Sequence, residues 1–394
     1  MSERWQAVWG RTASKKMLIP LRDFCRSQRE WLLETIESLV RLESPTTDKA
    51  AVDRCGAELT ARLNAIGGRV TPLTRIDRGN HLLAEFGCLK SQVLLLGHFD
   101  TVWPVGQLDR MPLTQSNGRL HGPGVFDMKA GIALGMLATR ALLETGAAIS
   151  HRIVMLWTTD EEIGSGTSRQ AIEEEARRSD AVLVLEPSLP GGALKTSRKG
   201  CGSYEVIVRG VAAHAGIEPQ KGASAVQEVA HQILRINAVQ DLARGVSVNV
   251  VKVTGGLRSN VIPDEARAIV DVRAPSAAAA AEVEAAFRAL TPVDPRTTIE
   301  ARGGFDRPPL ERSDAVGRLY GQARDVAREL GQNDLAEGGT GGGSDGNFTA
   351  AIGVPTLDGL GAIGDGAHAL HEHVDIESLP DRAALIAGLM QRIQ

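Results

Sequence analysis

The chain is poor in cysteine, in long apolar runs and in net charge of either sign. Four cysteines are spread over 394 residues. Cys25, Cys55, Cys88 and Cys201 share no CxxC or zinc-finger spacing, so neither a disulfide framework nor a cysteine-rich metal site is expected. No stretch approaches the ~20 apolar residues of a membrane-spanning helix. The N-terminal segment with Trp5, Trp9, Arg11, Lys15 and Lys16 holds no apolar run of the signal-peptide kind. A net charge of -4 offers no attraction to nucleic acid or to an anionic membrane. The expectation is a protein of the reducing cytoplasm, with no nucleic acid and no membrane involved.

What is present points to an ordinary globular enzyme-sized chain, long enough for two domains. Leu32 to Leu42 and Ala50 to Leu63 carry apolar residues at helical spacing. QVLLLGHFD (Gln92 to Asp100), HRIVMLWTT (His151 to Thr159) and AVLVLEP (Ala181 to Pro187) are short apolar runs that read as buried strands. Met128 to Leu143 reads as a helix that starts just after Asp127, and a further helix lies between the second and third strands. Strands alternating with helices predict a mostly parallel sheet flanked by helices, an α/β fold.

From about Leu194 the pattern changes. SYEVIVRG, SVNVVKVTGG and ARAIVDVRA alternate as half-buried strands do, with helices at Ala223 to Ile236 and Ala277 to Leu290. The expectation is an inserted α+β domain over residues 196–305. The first domain is then discontinuous, over residues 1–195 and 306–394.

Ligands of open α/β sheets bind beyond the carboxyl ends of the strands. That rule collects His98 and Asp100, then Asp160, Glu161 and Glu162, then Glu186, with Asp127 in the turn before a helix. Any one of these is an ordinary loop residue. Three strand ends supplying acids or imidazoles to one edge call for something more. Clustered carboxylates repel one another, and a divalent cation relieves the repulsion; imidazole with carboxylate suits zinc.

GHFDTVWP, GPGVFDMKAG, TTDEEIGSG, LEPS and GDGAHALHEHVD occur in that order. Together they resemble the successive signatures of the di-zinc aminoacylase and glutamate-carboxypeptidase family, over nearly the whole chain from about Leu32. The resemblance is nearest to glutamate carboxypeptidases, through RGVAAHAG and SNVIPDEARAIVDVRA. It implies a zinc-hydrolase catalytic domain, two Zn²⁺ per subunit (with Co²⁺ or Mn²⁺ as alternatives) and an inserted domain that makes a homodimer. It implies that Asp127 bridges both ions, that His98 and Glu186 complete one site, and that Glu162 and His368 complete the other. Asp100 would orient His98, and Glu161 would be the general base. Two Zn²⁺ against three ligand carboxylates leave one positive charge, which a hydroxide cancels.

Assigning Glu161 and Glu162 to different tasks rests on adjacent side chains of an extended backbone pointing apart; Asp160 is expected to hold the loop. His368 is favoured over His371 as the ligand, because His368, Glu372 and the Val374-Asp375 pair meet the family spacing. His373 is expected to face solvent. The resemblance further implies that His214 reaches the partner subunit's active site to stabilise an oxyanion. Arg273 and Asn260 would bind the substrate's C-terminal carboxylate and nearby polar groups, a task suited to a planar guanidinium.

GGGSDG (Gly341 to Gly346) satisfies GxGxxG, but QNDLAEGGT precedes it where a dinucleotide site needs an apolar strand. The loop is expected to approach substrate instead, with Ser344 or Asp345 available for polar contact. Cys201 has no base to activate it and reads as a buried thiol. The implied activity is hydrolysis of an amide to release a C-terminal amino acid from a short peptide or N-acyl amino acid. An N-acyl or N-carbamoyl amidohydrolase with the same metals, and a non-catalytic metal-binding homologue, remain as alternatives.

Overall fold

A computed structural model describes residues 18–332 and 334–393. The N-terminal stretch from Trp5 to Lys16, considered above for export, lies outside the described residues. The chain divides into two compact units. One comprises the residues up to Thr196, Arg312–Gly339 and the stretch from Ser344; the other comprises Ser197–Glu311 and Thr340–Gly343.

In the first unit, β1 (Arg69–Leu73), β2 (His81–Phe86), β3 (Gln92–His98), β4 (Arg152–Thr158) and β5 (Ala181–Val184) form one sheet with Thr356–Leu357. Its order is β1-β2-β4-β3-β5 and then Thr356–Leu357. From β4 onward neighbours are parallel, whereas β1 and β2 are antiparallel. Side chains of successive strand residues leave on opposite faces. Val93, Leu95, Met155 and Trp157 accordingly pack with helices Leu18–Ser27, Arg29–Arg41, Lys49–Ala65, Ala130–Thr145 and Leu379–Arg392. Leu94, Leu96, Val154 and Leu156 pack with Ile172, Ala176 and Phe348 on the other face. With both faces covered, the strands have no polar side and read as uninterrupted apolar runs. Each fully buried Leu or Ile contributes about 1.5–3 kcal/mol.

Two details of this packing bring the strand ends to one place. The α-helix after Asp127 begins at Ala130, behind a wider turn at Val125–Lys129. A Cβ at Gly131 would stand 2.0 Å from the Leu185 carbonyl oxygen, so only glycine lets the start of this helix sit against the chain leaving β5. Asp127 and Glu186 flank that contact in sequence.

The second unit has an antiparallel sheet of β6 (Gly200–Arg209), β7 (Ser247–Gly255), β8 (Glu265–Ala274) and β9 (Thr298–Arg307), in the order β7-β8-β6-β9. Helices Ala225–Asn237 and Ala277–Arg288 cover one face, where Val206, Val208, Val270 and Val272 meet Val229, Val283 and Phe287. The Tyr204 ring stacks on Phe287, with centroids 3.9 Å apart. Strand β7 lies at one edge of the sheet and leaves Val251 and Val253 exposed.

Candidate metal centre

His98 ends β3 as a fully buried side chain. Its Nδ1 lies 3.0 Å from the Asp100 backbone oxygen and 3.4 Å from that residue's Oδ1. In the neutral ring, donation from Nδ1–H to the carbonyl leaves the Nε2 lone pair facing outward, toward the acids. Asp100 is held in turn by the Thr46 hydroxyl, which donates to Oδ2 at 2.7 Å.

On its outer side, His98 Nε2 is 3.2 Å from Asp127 Oδ1 and 3.5 Å from Glu186 Oε1. The second oxygen of Asp127, Oδ2, lies 3.5 Å from His368 Nε2, and Glu162 Oε2 lies 3.0 Å from the same nitrogen. Asp127 therefore presents one oxygen to a His98–Glu186 pair and the other to a His368–Glu162 pair. Ligand atoms of His98, Glu161 and Glu186 fall within 4.8 Å of one another, as do those of His98, Asp127 and Glu162.

Glu161 and Glu162 begin a short 3-10 turn, Glu161–Ile163. The separation of the two carboxylates thus has a different basis from the extended backbone expected above. In this tight turn successive side chains are rotated by about 120°, enough to send them to different neighbours. Asp160 holds the turn: its Oδ2 accepts from the Thr167 amide at 2.6 Å and the Thr167 hydroxyl at 2.7 Å.

These residues fit divalent cations on several grounds. The donor set is imidazole nitrogen and carboxylate oxygen, converging in two overlapping groups. Glu162 Oε1 is buried with no hydrogen-bond partner, and an acceptor-only oxygen in that position calls for positive charge. Both imidazoles show the same demand. Glu162 and Asp127 draw the His368 imidazole up to about 9 against its burial. Burial opposes charge on His98, yet Asp100, Asp127 and Glu186 together hold it well above the usual histidine range. Burial in turn pushes the Glu162 carboxyl up, partly offset by His368.

The sequence profile of peptidase family M20/M25/M40 matches residues 94–392. The chain belongs to that family. It is 31% identical over 370 residues to carboxypeptidase G2 of Pseudomonas sp. (strain RS-16), covering 91% of this chain and 88% of the relative. It is 27% identical to succinyl-diaminopimelate desuccinylase of Xanthomonas oryzae pv. oryzae (strain MAFF 311018), over 92% and 98% of the two chains. Among solved structures, aminopeptidase PepT of Bacillus cereus ATCC 10987 superposes with a TM-score of 0.77 at 22% identity, covering 93% of this chain and 98% of its own. YXEP of Bacillus subtilis, a dinuclear metal binding peptidase, superposes at 0.66 with 15% identity, over 93% and 98%. This M20 chain is a hydrolase with an α/β fold.

Within this M20 hydrolase, His98, Asp100, Asp127, Glu161, Glu162, Glu186 and His368 all belong to the first unit, and His214, Asn260 and Arg273 to the second. His371 takes no part in the cluster; its Nε2 is 3.9 Å from Asp365 Oδ2 and its side chain is 67% exposed. His373 does not face solvent. It is buried, its Nδ1 is 2.9 Å from the His371 oxygen, and its ring lies 5.3 Å from that of His121 on the paired strand. Ser344 and Asp345 are also buried. Ser344 donates to Asp358 Oδ2 at 2.6 Å, and Asp345 accepts from Thr158 at 3.1 Å and from Ser165. Their side chains thus serve the fold.

In the second unit, His214 is exposed at the end of a two-residue strand, Ala213–His214, where its Nδ1 accepts from the Gly216 and Ile217 amides of the following turn, both at 3.1 Å. That leaves the proton of the neutral ring on Nε2, as a donor. The Asn260 carbonyl accepts from the Ala215 amide at 2.9 Å, joining the Asn260 loop to the His214 turn. Arg273 is half-buried and forked onto Asp271, with Nε at 3.0 Å from Oδ1 and Nη2 at 2.7 Å from Oδ2; its Nη1 faces the Cys201 sulfur at 2.6 Å. The Asp-x-Arg spacing on a strand was the available signal for Asp271, since residues two apart share a face. Glu372, which turns out to organise the Asp127 turn, was visible only as part of the His368 spacing.

Proposed function

We propose that this chain is a two-metal amide hydrolase that releases an amino acid bearing a free α-carboxylate from a short peptide or N-acyl amino acid. Glutamate is the first candidate for the released residue. The observation that carries the reading is the Asp127 carboxylate, with one oxygen at 3.2 Å from His98 and the other at 3.5 Å from His368. The identity to carboxypeptidase G2 favours the substrate class.

In this reading His98, Glu186 and Asp127 would hold one divalent ion, and Asp127, Glu162 and His368 would hold the other, zinc being favoured by the imidazole-carboxylate donor set. Such ions supply Lewis-acid polarisation of the scissile carbonyl and lower the pKa of a water. Asp100 and its carbonyl keep the His98 Nδ1 protonated, so that Nε2 stays available. Glu161 takes the proton from the attacking water and returns it to the leaving nitrogen, which must be protonated for the C–N bond to break. His214 of the partner subunit donates its Nε2–H to the developing oxyanion. Arg273 grips the substrate's carboxylate in a forked pair, with Asn260 meeting nearby polar groups.

A homodimer follows from the same reading. The β7 edge exposes backbone donors and acceptors together with Val251 and Val253, a surface that a second copy would cover. All four cysteines are free, as a cytoplasmic enzyme requires. No helix among the described residues is long and apolar enough to cross a membrane.

A deacylase or N-carbamoyl amidohydrolase is the second reading, favoured by the 27% identity to a desuccinylase over 92% of the chain. A homologue that binds metal without catalysis would not need Glu161 beside the cluster. Profiling of liberated amino acids over dipeptides, N-acyl and N-carbamoyl amino acids separates these. Release from peptides and acylated glutamate supports the carboxypeptidase reading. Turnover confined to succinyl or carbamoyl substrates supports the second, and no release from any of them sinks both.

A further inference from the structure

One buried carboxylate ties together three segments that each carry part of the metal centre. Glu372 is 1% exposed. Its Oε2 accepts from the Trp103 indole at 2.8 Å and the Gly124 amide at 2.9 Å. Its Oε1 accepts from the Phe126 amide at 2.9 Å and the Asp127 amide at 3.1 Å. Trp103 follows His98 and Asp100 on the chain leaving β3. The three amides form the turn that presents Asp127. Glu372 itself lies four residues after His368, in a turn where its own amide donates to Ala369 at 3.0 Å.

A buried carboxylate is costly unless it is well hydrogen-bonded, and four donors on two oxygens satisfy this one. Stabilising the turn alone would not need the indole, which lies 269 residues away in sequence. What the tethered segments share is the metal centre. Asp127 and His368, two contributors to that centre, are tied through Glu372, which grips the Asp127 turn by its backbone amides, alongside the pairing of Arg119–His121 with His373–Asp375 and the 3.5 Å approach of His368 Nε2 to Asp127 Oδ2. Glutamine cannot replace it, because its amide nitrogen would point a donor at two donors.

Resting on the two-metal reading, we propose that Glu372 is a positioning residue for the ion pair. It sets the Asp127 carboxylate at the spacing that serves both histidines and touches neither ion nor substrate.

The experiment uses full-length metal-free protein titrated with Zn²⁺ against a chelating competitor, with folding of each variant checked by circular dichroism well below its melting temperature. The wild type is expected to bind two ions. Glu372→Gln is expected to stay folded and bind with a dissociation constant raised about 10–100-fold, the usual cost of losing a group that orients ligands. Trp103→Phe, which deletes one of the four donors, and Glu372→Asp, which shortens the reach, are expected to weaken binding by less. Unchanged affinity and stoichiometry in folded Glu372→Gln overturns the inference and leaves the two-metal reading standing. Should Glu372→Gln not fold, the other two variants decide in the same way, and wild-type affinity in both overturns it. A wild type that takes up no zinc overturns this inference and the two-metal reading together.

Discussion

Glu162 Oε2 stands 3.0 Å from His368 Nε2, a contact between a strand-end turn and a distant loop that selects one histidine out of three. His368 adopts a positive φ of 60°, unusual for a residue with a side chain, and this backbone aims the ring at the cluster. His368→Ala is therefore expected to lower bound zinc from two ions to one per chain, while His371→Ala leaves two. Elemental analysis after gel filtration reads the difference.

Glu161 is expected to move protons and to leave the ions in place. Glu161→Gln should reduce kcat by about 10²–10⁴-fold, the usual contribution of general acid–base catalysis, with metal content unchanged. A variant that turns over at the wild-type rate removes Glu161 from the mechanism. If metal is lost in parallel with rate, Glu161 is a ligand instead.

Asp271 and Cys201 already face three nitrogens of Arg273, so the guanidinium is held in a defined plane. A forked pair with a substrate carboxylate through the remaining N–H directions is worth about 1.5–3 kcal/mol. Arg273→Ala should thus raise KM for substrates with a free C-terminal carboxylate by about 10–100-fold. Amidated analogues, already poor substrates, should lose nothing further. Equal losses on both classes would place Arg273 in the scaffold alone.

Stability should fall in mild acid through His151. Burial pushes this imidazole from 6.5 down to about 4, and its Nε2 has no hydrogen-bond partner. Between those two values the unfolded chain carries the proton and the folded chain does not, so unfolding takes up protons and becomes easier as the pH drops. The loss is complete below about 4 and amounts to at most about 3 kcal/mol. Denaturant melts at several pH values should show a shallower decline for His151→Gln than for the wild type. Parallel curves would show that His151 does not set the acid limit.

Much of the first unit was legible because its central strands are buried on both faces and its chemistry sits where they end. QVLLLGH, RIVMLWT and AVLV carry no polar side, so their ends are marked by the first polar residues after them. The antiparallel β1 and β2 were not legible. Strand β1 is five residues long with no buried position, and β2 is placed by β4, a partner far away in sequence. His373 looked like a loop residue because nothing local reveals that a strand carrying His121 covers it. The side chains of Ser344 and Asp345 looked available because their partners, Asp358, Thr158 and Ser165, are supplied by other segments.

The sequence by itself determined which groups are present and in what order: the imidazoles, the carboxylates, their separation along the chain and the glycines that permit close packing. These are covalent facts, and strand and helix periodicity extends them only as far as the next turn. Tertiary structure alone decided which oxygen of Asp127 faces which histidine, and that Glu372 ties the segments together. Each of those depends on distances between residues far apart in the chain, set by packing across both faces of the sheet.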